Sequence, residues 1–348
     1  MTKKVGMLGV SGITKMRDGY GVSGITRIGR VFTKIMQNKI INKNILKEAI
    51  LKVIAFFDMF DYPLTPFEIW TFCGIKCELS EILEILNDSG LPLKTKYGFY
   101  FLNNRSEIVD TRQRRYNYAN RKFKRALKIA RLFKIIPWIK MIAVGNSIGA
   151  NNLRDNSDID FFIITEAKRI WVTRWFCAGF TKILNLRPRP RKKRDTICLS
   201  FYITDDNLGL KNLMLTTKNT GDIYFIYWLA NLVPIYNKNN EYLKLINANA
   251  WLKEYLPNWF PAYSGQTRDV GPPFSVFYRD FIDMLIGGAD SFFKKIQLRI
   301  MPDVLHTLMN IDTRVVVNDK ILKLYVNDRR EEFQERYILK LRQIFKER

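Results

Sequence analysis

Apolar and polar positions along residues 44–104 predict three helices followed by a hairpin. Apolar residues recur at helical spacing over 45–60, and a capping-box sequence with proline at the first helical position opens a second helix after Thr65. A third helix is predicted over 80–87, and two short strands over 94–102 complete the segment. This order of elements predicts a winged helix.

The middle of the chain alternates between helices and strands. One long basic helix is predicted over 105–136. Apolar runs predict strands that end at Val144, that cover 161–164 and that cover 197–203, with a helix over 169–186 before the last of them. This segment therefore predicts a small unit in which helices pack on a sheet.

The pattern over 208–348 indicates mostly helices, with a short strand at 315–317. The candidate helices cover 222–233, 242–255, 277–299 and 328–345. The whole chain is therefore predicted to be an α+β protein. Its segments are a basic, poorly ordered tail over 1–43, a winged-helix-like domain over 44–104, a basic linker helix over 105–136, a small mixed-sheet domain over 137–207 and a helical C-terminal domain over 208–348.

Net charge is the compositional feature that bears on the binding partners of the protein. The chain of 348 residues carries 57 Lys and Arg against 33 Asp and Glu, which gives a net charge of +24 and a pI near 9.8. Such a surface attracts nucleic acids, nucleotides or anionic lipids, and charge alone does not choose among them. A hydrophobic content of 47% with 14% aromatic residues excludes a wholly disordered chain.

The cysteines and the apolar runs bear on the cellular compartment. Four cysteines and one histidine give only a weak zinc signal, so free thiols in a reducing cytoplasm are the favoured interpretation. The longest nearly uncharged run, 223–236, is too short to cross a bilayer, and no secretory signal is evident. We expect a cytoplasmic protein without an integral membrane span, and the sequence leaves its oligomeric state open.

The candidate chemistry lies in a strand–turn–strand stretch over 141–164. Gly145 follows an apolar run and permits a tight turn, and Ser147 adds a hydroxyl beside backbone N–H groups, which suits a phosphate. Asp158 and Asp160 open the next strand, where residues two apart point to the same face. Paired carboxylates repel unless a cation lies between them, and their oxygen atoms suit Mg²⁺.

This stretch resembles the motif of the DNA-polymerase-β-type nucleotidyltransferase superfamily. The motif is an apolar residue, Gly, Gly or Ser, about ten residues, and then Asp-apolar-Asp/Glu-apolar at a strand start. The matching residues are Val144, Gly145, Ser147, Asp158, Ile159, Asp160 and Phe161. Asn146 separates Gly145 from Ser147, which the family usually has adjacent. More loosely, the whole chain resembles uncharacterised bacterial proteins that join a winged-helix unit to such a domain.

The resemblance implies a nucleotidyltransferase-like domain over 137–207. Such a domain moves a nucleotidyl group from an NTP to an acceptor hydroxyl and requires Mg²⁺; the acceptor is unknown. Asp158 and Asp160 would be the catalytic and metal-binding residues. The substrate-binding residues would be Gly145, Asn146, Ser147, Arg191 and Lys192. The competing interpretation is a surface strand with two solvated aspartates, or a loop rich in Asn and Asp.

The resemblance also implies a third carboxylate, which in many members of the superfamily lies on the strand predicted here over 197–203 and activates the attacking hydroxyl. Cys198, Ser200 and Tyr202 share one face of that strand, and none is acidic. The aspartates nearest to the strand are Asp195, Asp205 and Asp206, so the third acid is displaced or missing. An alternative function follows, in which a catalytically inactive nucleotidyltransferase-like protein binds nucleic acid or a protein partner through its basic face.

Two basic segments flank the motif, at 112–134 and at 187–194. In the first, acidic residues occur only near the start of the helix, so salt bridges within the helix cannot balance its charge. A face that binds a polyanion and a merely solvated face are equally compatible with this pattern. Alternating prolines keep the second segment extended, either as a contact for triphosphate or nucleic acid or as a simple basic loop.

The third helix of the winged-helix segment argues against a DNA-reading role. It carries Glu81, Glu84 and Asp88 and neither Lys nor Arg. A helix that enters a DNA groove meets phosphates and needs cationic or neutral polar side chains. A packing or dimerisation role is therefore the favoured interpretation of residues 44–104.

Overall fold

A six-stranded mixed sheet surrounded by helices forms the centre of the fold, so the protein is of the α+β type. The computed structural model describes residues 42–88, 90–145, 152–189, 193–215, 221–261 and 276–346. The chain forms two compact units, Met1–Glu48 and Ala49–Arg348. Of the first unit, only 42–48 are described, and they are helical. The predicted tail over 1–43 therefore lies almost wholly outside the described residues.

The elements before the sheet agree with the helices and hairpin expected from the sequence. They are α1 over 42–58, α2 Pro66–Phe72, α3 Leu79–Leu86, β1 Leu93–Lys96, β2 Phe99–Leu102 and α4 Glu107–Phe133. The capping box of α2 is present, because Thr65 Oγ1 accepts from the N–H of Glu68 and Glu68 Oε2 accepts from the N–H of Thr65. Tyr97 and Gly98 join β1 to β2 with φ angles of 54° and 76°, as a tight hairpin turn requires.

The remaining elements build the sheet and cover it. The strands are β3 Ile139–Val144, β4 Ile159–Thr165, β5 Ile197–Thr204, β6 Val233–Asn237, β7 Val315–Val317 and β8 Ile321–Leu324. The helices are α5 Ile170–Ile183, α6 Ile223–Ala230, α7 Glu241–Ala248, α8 Leu252–Tyr255, α9 Val276–Ile286, α10 Asp290–Arg299, α11 Asp303–Leu308 and α12 Arg330–Lys346. The strand order is β6-β3-β4-β5-β8-β7, in which only β4 and β5 pair in parallel.

The sequence pattern missed two strands of this sheet. The helix predicted over 222–233 ends at Ala230, and β6 follows as an edge strand, where Pro234 removes no essential ladder donor. β8 was not predicted because Lys323 interrupts a short apolar run. The helix predicted over 277–299 is two helices, separated at Gly287–Ala289, where adjacent glycines weaken a regular helix.

Two layers of helices cover the faces of the sheet. On one face, α4 and α5 pack against alternate residues of β4, and Phe133 lies edge-on to Phe161. On the other face, Phe162 and Phe201 contact Trp228 of α6, with Phe201 and Trp228 stacked at 5.3 Å. Because both faces are covered, the central strands carry apolar residues on both faces, as in the run Phe161-Phe162-Ile163-Ile164 of β4.

The sequence predicts free thiols and no integral membrane span. All four cysteines are free, and three of them are buried. Among the described residues, no helix has both the length and the apolarity to cross a bilayer.

Arg112 of α4 holds the elements that precede the sheet against that helix. Its guanidinium donates to both carboxylate oxygens of Glu68, at 2.7 and 2.8 Å, and to the carbonyl of Pro63. The group also lies over the rings of Tyr62 and Phe99, at 4.1 and 4.5 Å. Burial alone would raise the pKa of Glu68, but its hydrogen bonds to Arg112 and Thr65 lower it overall.

We expect Arg112→Met to lower the free energy of unfolding by about 2–3 kcal/mol, because it leaves Glu68 charged, partly buried and without its cation. Arg114→Met, the same substitution at an exposed position of α4, is the matched control and should change stability by less than about 0.5 kcal/mol. Urea titration of both variants measures the difference. Equal effects would contradict the role of the Arg112–Glu68 pair.

Candidate functional site

Asp158, Asp160 and Cys198 converge at the edge where β4 and β5 begin. Each offers one ligand atom, and these atoms all lie within 4.8 Å of one another. Asp158 directly precedes β4, and Asp160 is paired with Cys198 in the parallel register of β4 and β5. The spacing of two residues thus brings the two carboxylates together, as the strand geometry predicts, and a thiol from the neighbouring strand joins them.

Gly145 directly follows β3 and lies next to this cluster. Its N–H donates to the carbonyl of Asp160 at 3.2 Å, which fixes the turn against the start of β4. A Cβ atom at this position would lie 2.9 Å from Nε1 of Trp228 and 3.2 Å from Leu232, so the described structure explains the glycine by close packing. The other predicted substrate-binding residues, Asn146, Ser147, Arg191 and Lys192, lie outside the described residues.

Helix α4 holds the loop that leads into Asp158. The ammonium of Lys122 is fully buried, donates to the carbonyl of Ser157 and lies 3.0 Å from Asp195. Arg121 reaches Asp155 at 2.6 Å and Asp195 at 3.2 Å. Burial acts to raise the pKa of Asp195, but Lys122 and Arg121 lower it overall, so Asp195 remains ionised.

These contacts change the interpretation of the basic helix. Its own acidic residues cannot neutralise it, as the sequence indicates, but acidic residues from other elements neutralise part of it. The pairs are Arg112 with Glu68, Arg115 with Asp61, Arg121 with Asp155 and Asp195, and Lys122 with Asp195. The sequence left a solvated face and a polyanion-binding face open for this helix, and it did not indicate the acidic partners of these four residues, because partners far away in the sequence leave no local pattern.

The three aspartates near β5 have other partners. Asp195 is held by Lys122 and Arg121, as described above. Asp205 accepts from the N–H of Ala167 at 2.8 Å, and Asp206 lies 3.0 Å from Lys320. Among the described residues, Cys198 rather than an acid is therefore the third member of the cluster.

The Cys198 thiol lies in an environment that keeps it protonated. Burial and the negative charge of Asp160 raise its pKa, and its sulfur lies 2.7 Å from Oγ of Ser200. A protonated thiol is a poor proton acceptor and a soft ligand. Two carboxylates fit Mg²⁺ by the hardness of their oxygen donors, whereas the sulfur does not.

A cavity of about 440 Å³ opens beside Asp158, and the C-terminal region forms most of its wall. Its aromatic lining consists of Phe201, Tyr224, Phe225, Trp228, Tyr325 and Phe333, and its polar lining includes Lys323, Asn327, Asp328, Arg329 and Arg330. Tyr224 and Phe333 are stacked at 5.1 Å, and Arg329 lies over Phe333 at 5.0 Å. The sequence did not single out these residues, because each resembles an ordinary core or surface position until the chain brings them together.

Buried ion pairs support one wall of this cavity. Arg330 lies 2.7 Å from Asp222 and 2.8 Å from Asp328, and Lys323 lies 3.0 Å from Asp328. All four side chains are at most 8% exposed, so two cations and two acids neutralise one another away from water. Burial and the neighbouring charge of Arg330 lower the pKa of Lys323 to about 8.

A second cavity, of about 270 Å³, reaches the cluster from the side of α5. Asp158 and Cys198 lie in its lining together with Arg174 and Arg187. Arg187 is exposed and belongs to the basic segment 187–194, so the start of that segment lies beside the acidic cluster. The site therefore combines two carboxylates with cations placed on a separate wall.

Comparison of the chain with protein-family models, with curated proteins and with solved structures found no match.

We expect the free energy of unfolding of the wild type, relative to that of the Lys323→Met variant, to increase as the pH is raised. The native pKa of Lys323, about 8, lies below its ordinary value of 10.5, so between these values the unfolded chain holds more protons. The cost of the buried charge is fully present below pH 8 and is relieved as the pH approaches 10.5, by up to about 3 kcal/mol. Urea unfolding of both proteins from pH 7 to 10 measures this, and a pH-independent difference would contradict the lowered pKa.

Proposed function

We propose that the protein is a metal-dependent nucleotidyltransferase that moves a nucleotidyl group from an NTP to an acceptor hydroxyl. The observation that carries the proposal is the convergence of Asp158 and Asp160 at the start of β4, directly beside the turn at Gly145. On the same basis we infer that β3, β4 and β5 form the sheet of a nucleotidyltransferase domain. Residues 44–104 would then be its winged-helix-like domain.

In the proposed reaction, the acceptor oxygen forms a bond to the α-phosphorus while the bond from that phosphorus to the bridging oxygen of the β-phosphate breaks. Pyrophosphate leaves with the electron pair, and the hydroxyl proton passes to a base or to solvent. Asp158 and Asp160 would hold Mg²⁺, which when bound lowers the pKa of the hydroxyl and offsets charge on the leaving group.

The two cavities beside Asp158 suit the two chemically different ends of a nucleotide. The larger one has aromatic walls, on which a base can stack, together with Asn327 and Arg329 as polar contacts. The smaller one has Arg174 and Arg187, which suit phosphates. Asn146, Ser147, Arg191 and Lys192 remain proposed phosphate contacts on the strength of the motif.

One observation favours a second candidate function, namely binding without catalysis. General-base assistance contributes about 10²–10⁴-fold to the rate of a reaction of this kind. Cys198 occupies the position next to the two carboxylates, and its raised pKa keeps it from accepting a proton. A protein of this kind would hold a nucleotide and metal, or a partner on its basic face, without transferring the nucleotidyl group.

We expect the double variant Asp158→Asn, Asp160→Asn to lose metal-dependent NTP binding by at least about tenfold, since amides cannot neutralise a divalent cation. Isothermal titration with ATP in Mn²⁺, with the other three NTPs as competitors, measures the affinity. The matched control is Asp205→Asn, Asp206→Asn, which removes the same charge at the opposite end of the strands.

The control should bind ATP as the wild type does, and the Asp158, Asp160 variant should unfold at nearly the wild-type temperature. Removal of two repelling carboxylates does not weaken the fold. Retention of metal-dependent ATP binding in the Asp158, Asp160 variant would refute the proposed site.

We expect Cys198→Asp to raise the transfer rate by about tenfold or more, because it supplies the missing proton acceptor. Cys198→Ser, which supplies none, is the control and should give no gain. Each protein is incubated with Mg²⁺, labelled NTPs and a pool of host RNA and protein, and the transferred label is counted. If neither the wild type nor Cys198→Asp transfers label while both bind ATP, the second candidate function is the correct one.

A further inference from the structure

Seven of the nine cations of α4 belong to one of two groups. The first group consists of the four residues paired with acids from other elements. The second group, which we call the α4 stripe, consists of Lys124, Lys128 and Arg131. All three are exposed, and within the described ranges none of them forms an ion pair. Their spacing of four and three residues places them on one face of the helix.

The α4 stripe begins beside the loop that carries Asp158. Arg121 lies one turn before Lys124 and binds Asp155, and Lys122 binds the carbonyl of Ser157, the residue next to Asp158. Arg194, at the end of the basic segment 187–194, also lies 3.3 Å from Asp155. From this point the stripe extends for roughly 10 Å along the helix axis, at about 1.5 Å per residue.

The lack of acidic partners distinguishes the stripe from several other exposed lysines. Several lysines elsewhere have acidic partners, as in the pairs Lys244 with Glu241, Lys294 with Asp319 and Lys320 with Asp206. In the stripe, like charges repel at spacings of three and four residues, which destabilises the helix. A bound anion offsets this repulsion, so the stripe is a surface that gains stability from a polyanion.

The chemistry of the helix face selects the kind of polyanion. Over the stripe itself, residues 121–131, the exposed side chains of α4 are Lys124, Lys128 and Arg131, and none is apolar; the exposed ring of Tyr116 lies two turns before Lys124. A helix that lies on a lipid surface inserts apolar side chains beside its cations. A line of cations without apolar neighbours suits the regularly spaced phosphates of a nucleic-acid strand.

We propose that the α4 stripe binds the phosphate backbone of a nucleic acid and leads one end of the strand to the Asp155–Asp158 loop. The proposed binding surface depends only on the cations of α4. The further statement, that this strand is the acceptor of the nucleotidyl group, rests on the proposed function.

The test uses the full chain and a fluorescent single-stranded RNA of 20 nucleotides of mixed sequence, which at about 3.4 Å per nucleotide is several times longer than the stripe. The stripe variant is Lys124→Gln, Lys128→Gln, Arg131→Gln. The matched control is Lys76→Gln, Lys244→Gln, Lys320→Gln, which removes three charges from other elements. Anisotropy titrations at several salt concentrations give the affinity and its dependence on salt.

The stripe variant should bind RNA about tenfold more weakly, and the slope of log affinity against log salt should be shallower by about 2, for three phosphate contacts at about 0.7 each. The control should retain the wild-type slope. Equal losses in both variants would show that only net charge matters, and an unchanged stripe variant would exclude the surface; either result overturns the proposal. Loss of binding to phosphatidylserine vesicles with unchanged RNA binding would replace it with a membrane-binding surface.

Different variants test the nucleic-acid surface and the proposed nucleotidyltransferase function. The stripe variant should bind ATP in Mn²⁺ as the wild type does, and the Asp158→Asn, Asp160→Asn variant should retain RNA binding. If the wild type binds no nucleotide but the stripe variant still loses RNA affinity, the proposed function fails and the nucleic-acid surface stands.

Discussion

The buried ammonium of Lys122 is the contact on which the geometry of the candidate site depends. It ties α4 to the carbonyl of Ser157 and to Asp195, and so fixes the approach of the chain to Asp158 from one side and the approach to β5 from the other. A buried charge of this kind is costly unless every partner is in place, so the loop and the strand are held in one arrangement. Lys122 thus holds both the loop that leads into Asp158 and the segment that leads into β5, the strand that carries Cys198.

Charge has two separate roles in a chain that carries a large positive excess. Inside the fold, cations are matched with acids from distant segments, as in the cluster of Asp222, Lys323, Asp328 and Arg330 that supports the wall of the larger cavity. On the outer face of α4, cations have no such partners among the described residues. The internal pairs position the candidate site, and the unmatched cations extend from it along the helix, which is the arrangement that the proposed binding of a nucleic acid requires.

The parts of the fold that could be predicted from the sequence are those that depend on local spacing. The capping box at Thr65, the strand at 315–317 and the shared face of Asp158 and Asp160 follow from neighbours two to four residues apart. The contribution of Cys198 depends on the parallel register between β4 and β5, and the strand around Lys323 depends on a pairing with β5 across more than a hundred residues. Such pairings leave no local periodicity, so the cavity wall and the partners of α4 were not predictable.

Diffraction from crystals grown with Mn²⁺ and a non-hydrolysable ATP analogue, recorded at the manganese absorption edge, tests most directly whether Asp158 and Asp160 form a metal-dependent nucleotide site. We predict an anomalous peak about 2.2 Å from a carboxylate oxygen of each residue, with a phosphate oxygen of the analogue completing the contact. The base should lie in the cavity lined by Tyr224, Trp228 and Phe333. A nucleotide bound at full occupancy at another place, or no peak between the two carboxylates, would contradict the assignment.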